Sequence, residues 1–316
     1  MKTILEAVRE ALDASLADKN VVLFGQDIGR HGGAFGATEG LLEKHGADRV
    51  VDMPVAEAAL LGAACGAAMR GMKAIAELQF IDFASAAGFD QIVSVAAKSR
   101  YRTGVACPLV VRGPSGAGGR GGPFHSASPE SWFVATPGLK IVAPSTPRDT
   151  YALLRAAVDD PDPVVFLEPK ALYRRALDSP DHDARIGQAH VVRPGERATV
   201  LSYGAMVHRC LDAVDGLDAD VGVIDLRTLW PLDEDTVIDA VRRTSRVLIV
   251  HEAAGQGGFA GELMALINAH AFDALDAPPM RLTGRDTPVP HAPVLEDAYL
   301  PSVESIAQKI EHLISW

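Results

Sequence analysis

The feature that most constrains this chain is an alternation. Short apolar runs closed by Gly, Pro or a charge are followed by stretches with helical spacing. Val21–Phe24 closes at Gly25, and Val50–Met53 closes at Pro54 and leads into an Ala- and Gly-rich helix predicted over Ala56–Arg70. Strands are expected at Ala74–Phe80, Leu109–Arg112, Lys140–Ala143 and Val164–Leu167, separated by helices at Phe89–Tyr101, Pro129–Ala135 and Pro147–Val158. Such alternation implies a mostly parallel sheet covered by helices on both faces. A polar stretch, Ser179–Arg185, lacks periodicity and reads as a linker. The pattern then restarts, with strands at Thr199–Ser202, Val221–Asp225, Val247–Val250 and Arg281–Thr283. Helices fit Val207–Val214, Asp233–Arg243, Gly261–Ala271 and Val303–Ile314. The expected fold class is α/β, with two doubly wound, mostly parallel-sheet domains. Residues 1–178 form the first, 179–188 the linker and 189–316 the second.

A chain of 316 residues has room for two such domains. Its 41 acidic and 30 basic side chains leave a net charge of -11, which removes the electrostatic footprint of a nucleic-acid binder and disfavours anionic membrane surfaces. No nucleic acid and no membrane are therefore expected as partners. Cys65, Cys107 and Cys210 lie far apart and read as small buried side chains, not as a disulfide framework or a zinc site. Met1–Lys19 mixes charges with apolar residues at helical spacing and reads as an amphipathic helix, not a signal peptide. With no uncharged run long enough to span a bilayer, a soluble, cytoplasmic protein is expected.

Two glycine clusters invite a nucleotide reading. Gly116, Gly118 and Gly121 fit GxGxxG after a strand, yet no helix pattern or suitably placed acid follows, so the segment reads as a mobile loop. Gly255, Gly257 and Ala260 fit GxGxxA, again without the acidic partner, and read as a tight strand-to-helix turn. His251-Glu252 lacks the second histidine of a zinc protease, Ser115 in GPSGA is not a nucleophile elbow, and no phosphate-binding GxxxxGK[ST] occurs.

Three places remain. Glu57 opens an apolar helix; it is either an acid favoured by the helix dipole or a carboxyl kept neutral by an apolar wall. His125 ends the glycine loop; it is either a surface group or a proton carrier brought to a substrate by glycine-rich backbone. In Gln79–Phe83, strand alternation would send Gln79, Ile81 and Phe83 one way and Phe80 and Asp82 the other. These residues stand where parallel strands present their ligand crevice.

The segments GGAFGATEGLLEKHGADRVVDMPVAEA, AELQFIDF, FDQIVSVAAKSRYRTG, HSASPESWF, TPGLKIVAPSTP and DPDPVVFLEPKALYR, followed by VIDLRTLWPLD, HEAAGQGGFAGEL and GRDTPVPH, resemble one family nearly end to end. It is the beta subunit of thiamine-diphosphate-dependent 2-oxo acid dehydrogenases. FLEPKALYR and GRDTPVPH resemble the branched-chain members in particular. The resemblance implies a pyrimidine-binding domain, a transketolase-type C-terminal domain and an alpha2-beta2 heterotetramer. The alpha subunit would hold the diphosphate and Mg2+ through a GDG motif that this chain lacks. A lipoyl-bearing acyltransferase would accept the acyl group.

On the family pattern, Glu57 hydrogen-bonds the aminopyrimidine ring with Val55 and Ala56 alongside, and Gln26, Gln79 and Phe83 contact the cofactor. Phe80, Ile81, Asp82, Phe83 and His125 border the 2-oxo acid substrate. Potassium, bound by some members, would meet Cys107, Leu109, Val110, Ala157, Asp160 and Asp162. The cofactor would take up the electrons released with carbon dioxide, and His125 would serve as acid or base during acyl transfer.

Three departures stand out: Gln26 where the family usually has Glu, one extra residue between Phe83 and Phe89, and Asp162 for a common Asn. The alternatives are the same subunit of a pyruvate or acetoin complex, a non-catalytic scaffold beside an alpha partner, and, from the glycine clusters alone, a nicotinamide enzyme.

Overall fold

The computed structural model describes residues 1–178 and 182–316; the first three positions of the expected linker, Ser179 to Asp181, lie outside the described residues. The strands are β1 (Val21–Gly25), β2 (Val50–Asp52), β3 (Lys73–Glu77), β4 (Leu109–Ser115), β5 (Lys140–Val142), β6 (Val164–Pro169), β7 (His190–Arg193), β8 (Ala198–Ser202), β9 (Val221–Asp225), β10 (Thr228–Trp230), β11 (Val247–Ala254) and β12 (Met280–Gly284). They form one sheet in the order β10-β5-β6-β4-β3-β1-β2 and a second in the order β12-β11-β8-β9-β7. Pairing is parallel except at two edges, where β10 runs against β5 and β7 against β9.

The central strands are buried on both faces, as the near-continuous apolar runs require. Leu23, Ile75, Val110 and Phe166 point into one core with Ile4, Val8 and Leu12 of the helix Ile4–Leu16 and Leu153 and Leu154 of the helix Pro147–Asp159. Val22, Ala74, Ala76, Val111 and Val165 point into the other, against Leu60, Leu61 and Ala64 of the helix Glu57–Met69. Sequence also fixes the helix starts. Thr3 and Glu6 form a reciprocal capping box, and Thr146 caps a helix with Pro147 in its first turn.

Strand order locates the functional edge. From β1 the chain moves outward to β2 and then crosses back over β1 to β3. The crevice at this reversal lies beyond the carboxyl ends of β1 and β3, the usual ligand site of an open α/β sheet. The second sheet reverses in the same way between β8 and β11.

Several expectations need correction. β3 ends at Glu77, and Ile81–Phe83 is a 3-10 turn, so the strand alternation expected for Gln79–Phe83 does not occur. Gly113 on β4 leaves room there for the Leu78 carbonyl, 2.7 Å from where a Cβ would sit, and the chain turns out of the sheet. The helix expected at Phe89–Tyr101 is broken into a wide-turned Gln91–Ala96 and a short Ser99–Thr103, without any proline to forecast it. The strands β7 and β10 were not expected. β10 follows the second-domain strand β9 yet joins the first sheet, so the two halves share hydrogen-bonded structure.

Candidate functional site

At the first reversal, β1 ends in Gly25 and places Gln26 directly in the crevice. Gln26 is 2% exposed, and its Nε2 donates to Glu57 Oε1 at 3.3 Å. Its own Oε1 is buried without a partner, an arrangement that costs on the order of 1–3 kcal/mol unless a donor arrives. Glu57 occupies the first turn of its helix, where the dipole favours a carboxylate. It is only half-buried, with Ala56 half-buried and Val55 81% exposed beside it. The apolar wall expected around Glu57 is therefore incomplete on this chain alone.

Across the crevice, Gln79 Nε2 donates to Asp27 Oδ2 at 3.0 Å. The turn after β3 then brings two aromatic rings against one imidazole. The His125 ring lies 4.7 Å from Phe80 and 5.4 Å from Phe83, both edge-on, and Phe35 packs on Phe80 at 5.6 Å. Ile81 is fully buried in the core behind them. Asp82 is also buried; its Oδ1 accepts from the Ala127 N–H at 2.8 Å, and burial pushes its pKa above the usual carboxylate range. Asp82 thus braces the backbone beyond His125 through one carboxylate oxygen, while its Oδ2 is buried without a partner. Lys170 donates to the His125 carbonyl and lies 5.3 Å above the Phe80 ring. Burial lowers its pKa.

Beneath this layer sits a charge network that sequence reading missed. Arg112 on β4, 1% exposed, bridges Glu77 on β3 and Glu168 on β6, with Arg112 Nη2 donating to Glu168 Oε2 at 2.7 Å. The Tyr173 hydroxyl donates to Glu168, and its ring packs on Phe35 at 5.3 Å. The signal was present as single charges inside apolar runs: AIAEL, LVVRG and VVFLEP.

The second reversal, between β8 and β11, is closed. Tyr203 and Glu252 stand at the strand ends, and the glycine loop of the first domain fills the crevice. Ala117 N–H donates to Glu252 Oε2 (3.0 Å), and Gly118 and Arg120 N–H donate to Glu296 Oε1 (3.1 and 3.2 Å). The segment expected to be a mobile loop is thus tied down by second-domain carboxylates. Beside it, Tyr203 donates to Glu130 Oε1 at 2.5 Å. Burial pushes Glu130 up to about 7 and Glu252 up to about 6. The remaining cavity, about 20 Å³ and lined by Ser115, Ser128, Glu130, Tyr203 and Glu252, has room for about one water. Gly255–Gly258 form the strand-to-helix turn expected of them, between Ala254 and Phe259.

The residues assigned to potassium cluster elsewhere, near the amino ends of β4 and β6. There Asp160 pairs with Lys140, Asp162 Oδ1 accepts from Arg100 Nε at 2.6 Å, and the Cys107 carbonyl accepts from Leu109 N–H. Leu109 and Val110 lie within β4, and the Ala157 carbonyl accepts from Asp160 N–H at 3.3 Å. All three cysteines are buried and unbridged. Among the described residues, no helix is long and apolar enough to cross a membrane.

Residues 1–176 match the family model "Transketolase, pyrimidine binding domain", and residues 187–306 match "Transketolase, C-terminal domain". A 2-oxoisovalerate dehydrogenase subunit beta from Pseudomonas aeruginosa is 43% identical, covering 95% of this chain and 91% of that protein. A pyruvate dehydrogenase E1 component subunit beta from Acholeplasma laidlawii is 42% identical, covering 98% and 97%. In fold, the chain superposes with a TM-score of 0.81 on a split-gene transketolase described as an inactive beta4 tetramer, at 19% identity and covering 99% and 98% of the two chains.

Proposed function

Since this chain belongs to the family of transketolase-like 2-oxo acid dehydrogenase beta subunits, we propose that it forms, with an alpha subunit, the decarboxylating component of a complex acting on a branched-chain 2-oxo acid. On this reading residues 1–178 are the pyrimidine-binding domain, 189–316 the C-terminal domain, and a lipoyl-bearing acyltransferase receives the acyl group. The observation that carries it is Glu57 at the crevice mouth, held by a buried amide that keeps one acceptor free.

That arrangement fits thiamine diphosphate. An orphaned amide oxygen, a half-buried carboxyl and an aromatic edge are what an aminopyrimidine, with its donors and flat face, would satisfy. Glu57 and Gln26 would hold the ring's polar edge, with Val55, Ala56, Gln79 and Phe83 around it. When bound, the cofactor supplies an electron sink for the pair released as carbon dioxide leaves.

This chain's own groups do the rest. Gln26 restricts the Glu57 carboxyl to one orientation, so a proton held there stays aimed into the crevice. Phe35, Phe80 and Phe83 exclude water, which strengthens every polar contact inside. His125, caged by two of those rings, carries a proton at its imidazole to or from the acyl group. The open side at Val55 is where a second polypeptide would complete the wall. Mg2+ and the diphosphate would be held by that alpha subunit.

Coexpression with an alpha subunit, followed by turnover with an artificial electron acceptor, tests the reading. 3-Methyl-2-oxobutanoate is expected to exceed pyruvate and acetoin by about tenfold or more in kcat/KM. A preference for pyruvate or acetoin would reassign the substrate, and inactivity toward all three would overturn the proposal.

A further inference from the structure

The second sheet has a ligand crevice by topology, and the first domain occupies it. From this we infer that Glu252 and Glu296 are positioning residues for His125, acting across the domain interface through the glycine loop; the inference rests on the reaction proposed above.

The loop leaves β4 at Ser115 and is closed at its base by Gly116 N–H donating to the Ala127 carbonyl at 2.9 Å. Between those points three backbone donors, at Ala117, Gly118 and Arg120, are received by two carboxylates. Neighbouring N–H groups that converge on an anion form a nest, and such a nest needs left-handed backbone. Gly116 and Gly118 supply it at φ +87° and +86°. Arg120 adopts φ 57° despite its side chain, a strained backbone that the surroundings must offset. They do so at Glu296: Arg120 Nη1 lies 2.8 Å from Glu296 Oε2, and Nη2 lies 2.8 Å from Asp297 Oδ1. Glu296 is 0% exposed. A buried carboxylate given two backbone donors and a guanidinium is a built anchor, not a surface contact.

The anchored turn is linked rigidly to the imidazole. A Cβ on Gly121 would lie 2.7 Å from His125 Cβ, so the two residues are in near contact across the 3-10 turn Gly122–Phe124. On its far side His125 is held by Lys170 at its carbonyl and by Asp82 through Ala127. The ring is therefore clamped at both ends of one short backbone arc. Glu252 grips the loop beside its base at Ala117, and Glu296 grips its tip at Gly118 and Arg120. Loss of that grip would let His125 drift by the fraction of an ångström that costs proton transfer its geometry.

The test compares Glu296→Ala, Glu296→Gln and Glu252→Ala in the chain assembled with its alpha subunit. It uses single-turnover acyl transfer, the steady-state kcat and KM, and amide exchange of residues 116–126. Glu296→Ala is expected to lower kcat about tenfold to a hundredfold with KM within about twofold. The same substitution is expected to raise exchange at Gly118 and Arg120, and Glu296→Gln, which keeps an acceptor, to recover most of both. In a His125→Ala background, removal of Glu296 is expected to cost less than twofold further, because a residue acting through His125 has nothing left to position.

Equal losses with and without His125, or unchanged exchange in the loop, would overturn the inference. If the parent assembly proves inactive toward 2-oxo acids, exchange alone still decides whether the carboxylates hold the loop, so the two failures are told apart.

Discussion

The two sheets reverse their strand order in the same way, yet the crevices that result are opposites. At the first, polar groups are left wanting: Gln26 keeps an unpaired acceptor, Glu57 is half-exposed, and Val55 projects into solvent. At the second, Glu252, Glu296 and Tyr203 each take a partner from the other half of the chain, and little more than a water's volume remains. Topology alone does not make a site. A crevice becomes one where donors and acceptors stay unspent, and becomes a joint where they are consumed. The contrast places the groups free to meet a ligand at the first region and a fixed joint between the two halves at the second.

The largest effect is expected from the charge network beneath the open crevice. Arg112→Ala leaves two buried carboxylates without their cation, which typically costs about 3–5 kcal/mol. Urea denaturation at pH 8 should show it. The loss should shrink toward pH 5, because burial already raises the Glu77 pKa and a protonated Glu77 needs no cation. A loss below about 1 kcal/mol at pH 8 would mean that this network does not support the crevice.

Glu57→Gln should do the reverse. The side chain makes one hydrogen bond, to Gln26, and is half-exposed, so stability should change by no more than about 0.5 kcal/mol. Turnover of the assembled enzyme should fall about 10²- to 10³-fold, some 3–4 kcal/mol of barrier. A variant that lost stability in step with rate would erase the distinction between the two crevices.

Much of this was legible in the sequence because the signals are local. The short apolar runs of the central strands, the helical spacing that follows them and the placement of Glu57 behind Pro54 all follow from residues within a few positions of one another. His125 stood out because glycine-rich backbone is conspicuous. What escaped was non-local. Ala117 meets Glu252 across 135 residues, and Gly118 meets Glu296 across 178. No periodicity encodes such a meeting. β10 is short and joins a sheet from the other half of the chain, and the turn after Glu77 depends on the missing side chain at Gly113 on a neighbouring strand.

The closed crevice carries its own signature in pH. Glu130 is 1% exposed, and its pKa rises from 4.5 in the unfolded chain to about 7 in the fold. The native state therefore binds the proton more tightly. Stability from this group is full below pH 4.5 and is lost as pH rises through 7, by up to about 3 kcal/mol. Glu130→Gln keeps an acceptor for Tyr203 and cannot ionise. It should match the parent near pH 4.5 and exceed it at pH 8, as read by thermal melting at both pH values. A difference independent of pH would place the destabilising charge elsewhere.

The smallest effect is the sharpest test of the open crevice. Gln26 is 2% exposed, and its amide lies 3.3 Å from Glu57. As an amide it donates to Glu57 and places no second charge beside that carboxyl. Gln26→Glu would place two carboxyls at that separation, and two like charges so close cannot both ionise cheaply. The pair would share one proton over a wide range, and the rate would follow a joint ionisation instead of a single one. The expected change at neutral pH is only a few-fold, about 1 kcal/mol of barrier, yet the pH profile should gain a second inflection. Since Gln26 contacts nothing in the closed crevice, the gain in melting temperature that Glu130→Gln brings at pH 8 should be the same in this variant as in the parent. A profile of unchanged shape would show that Gln26 does not govern the proton on Glu57, and the open crevice would lose its link between burial and chemistry.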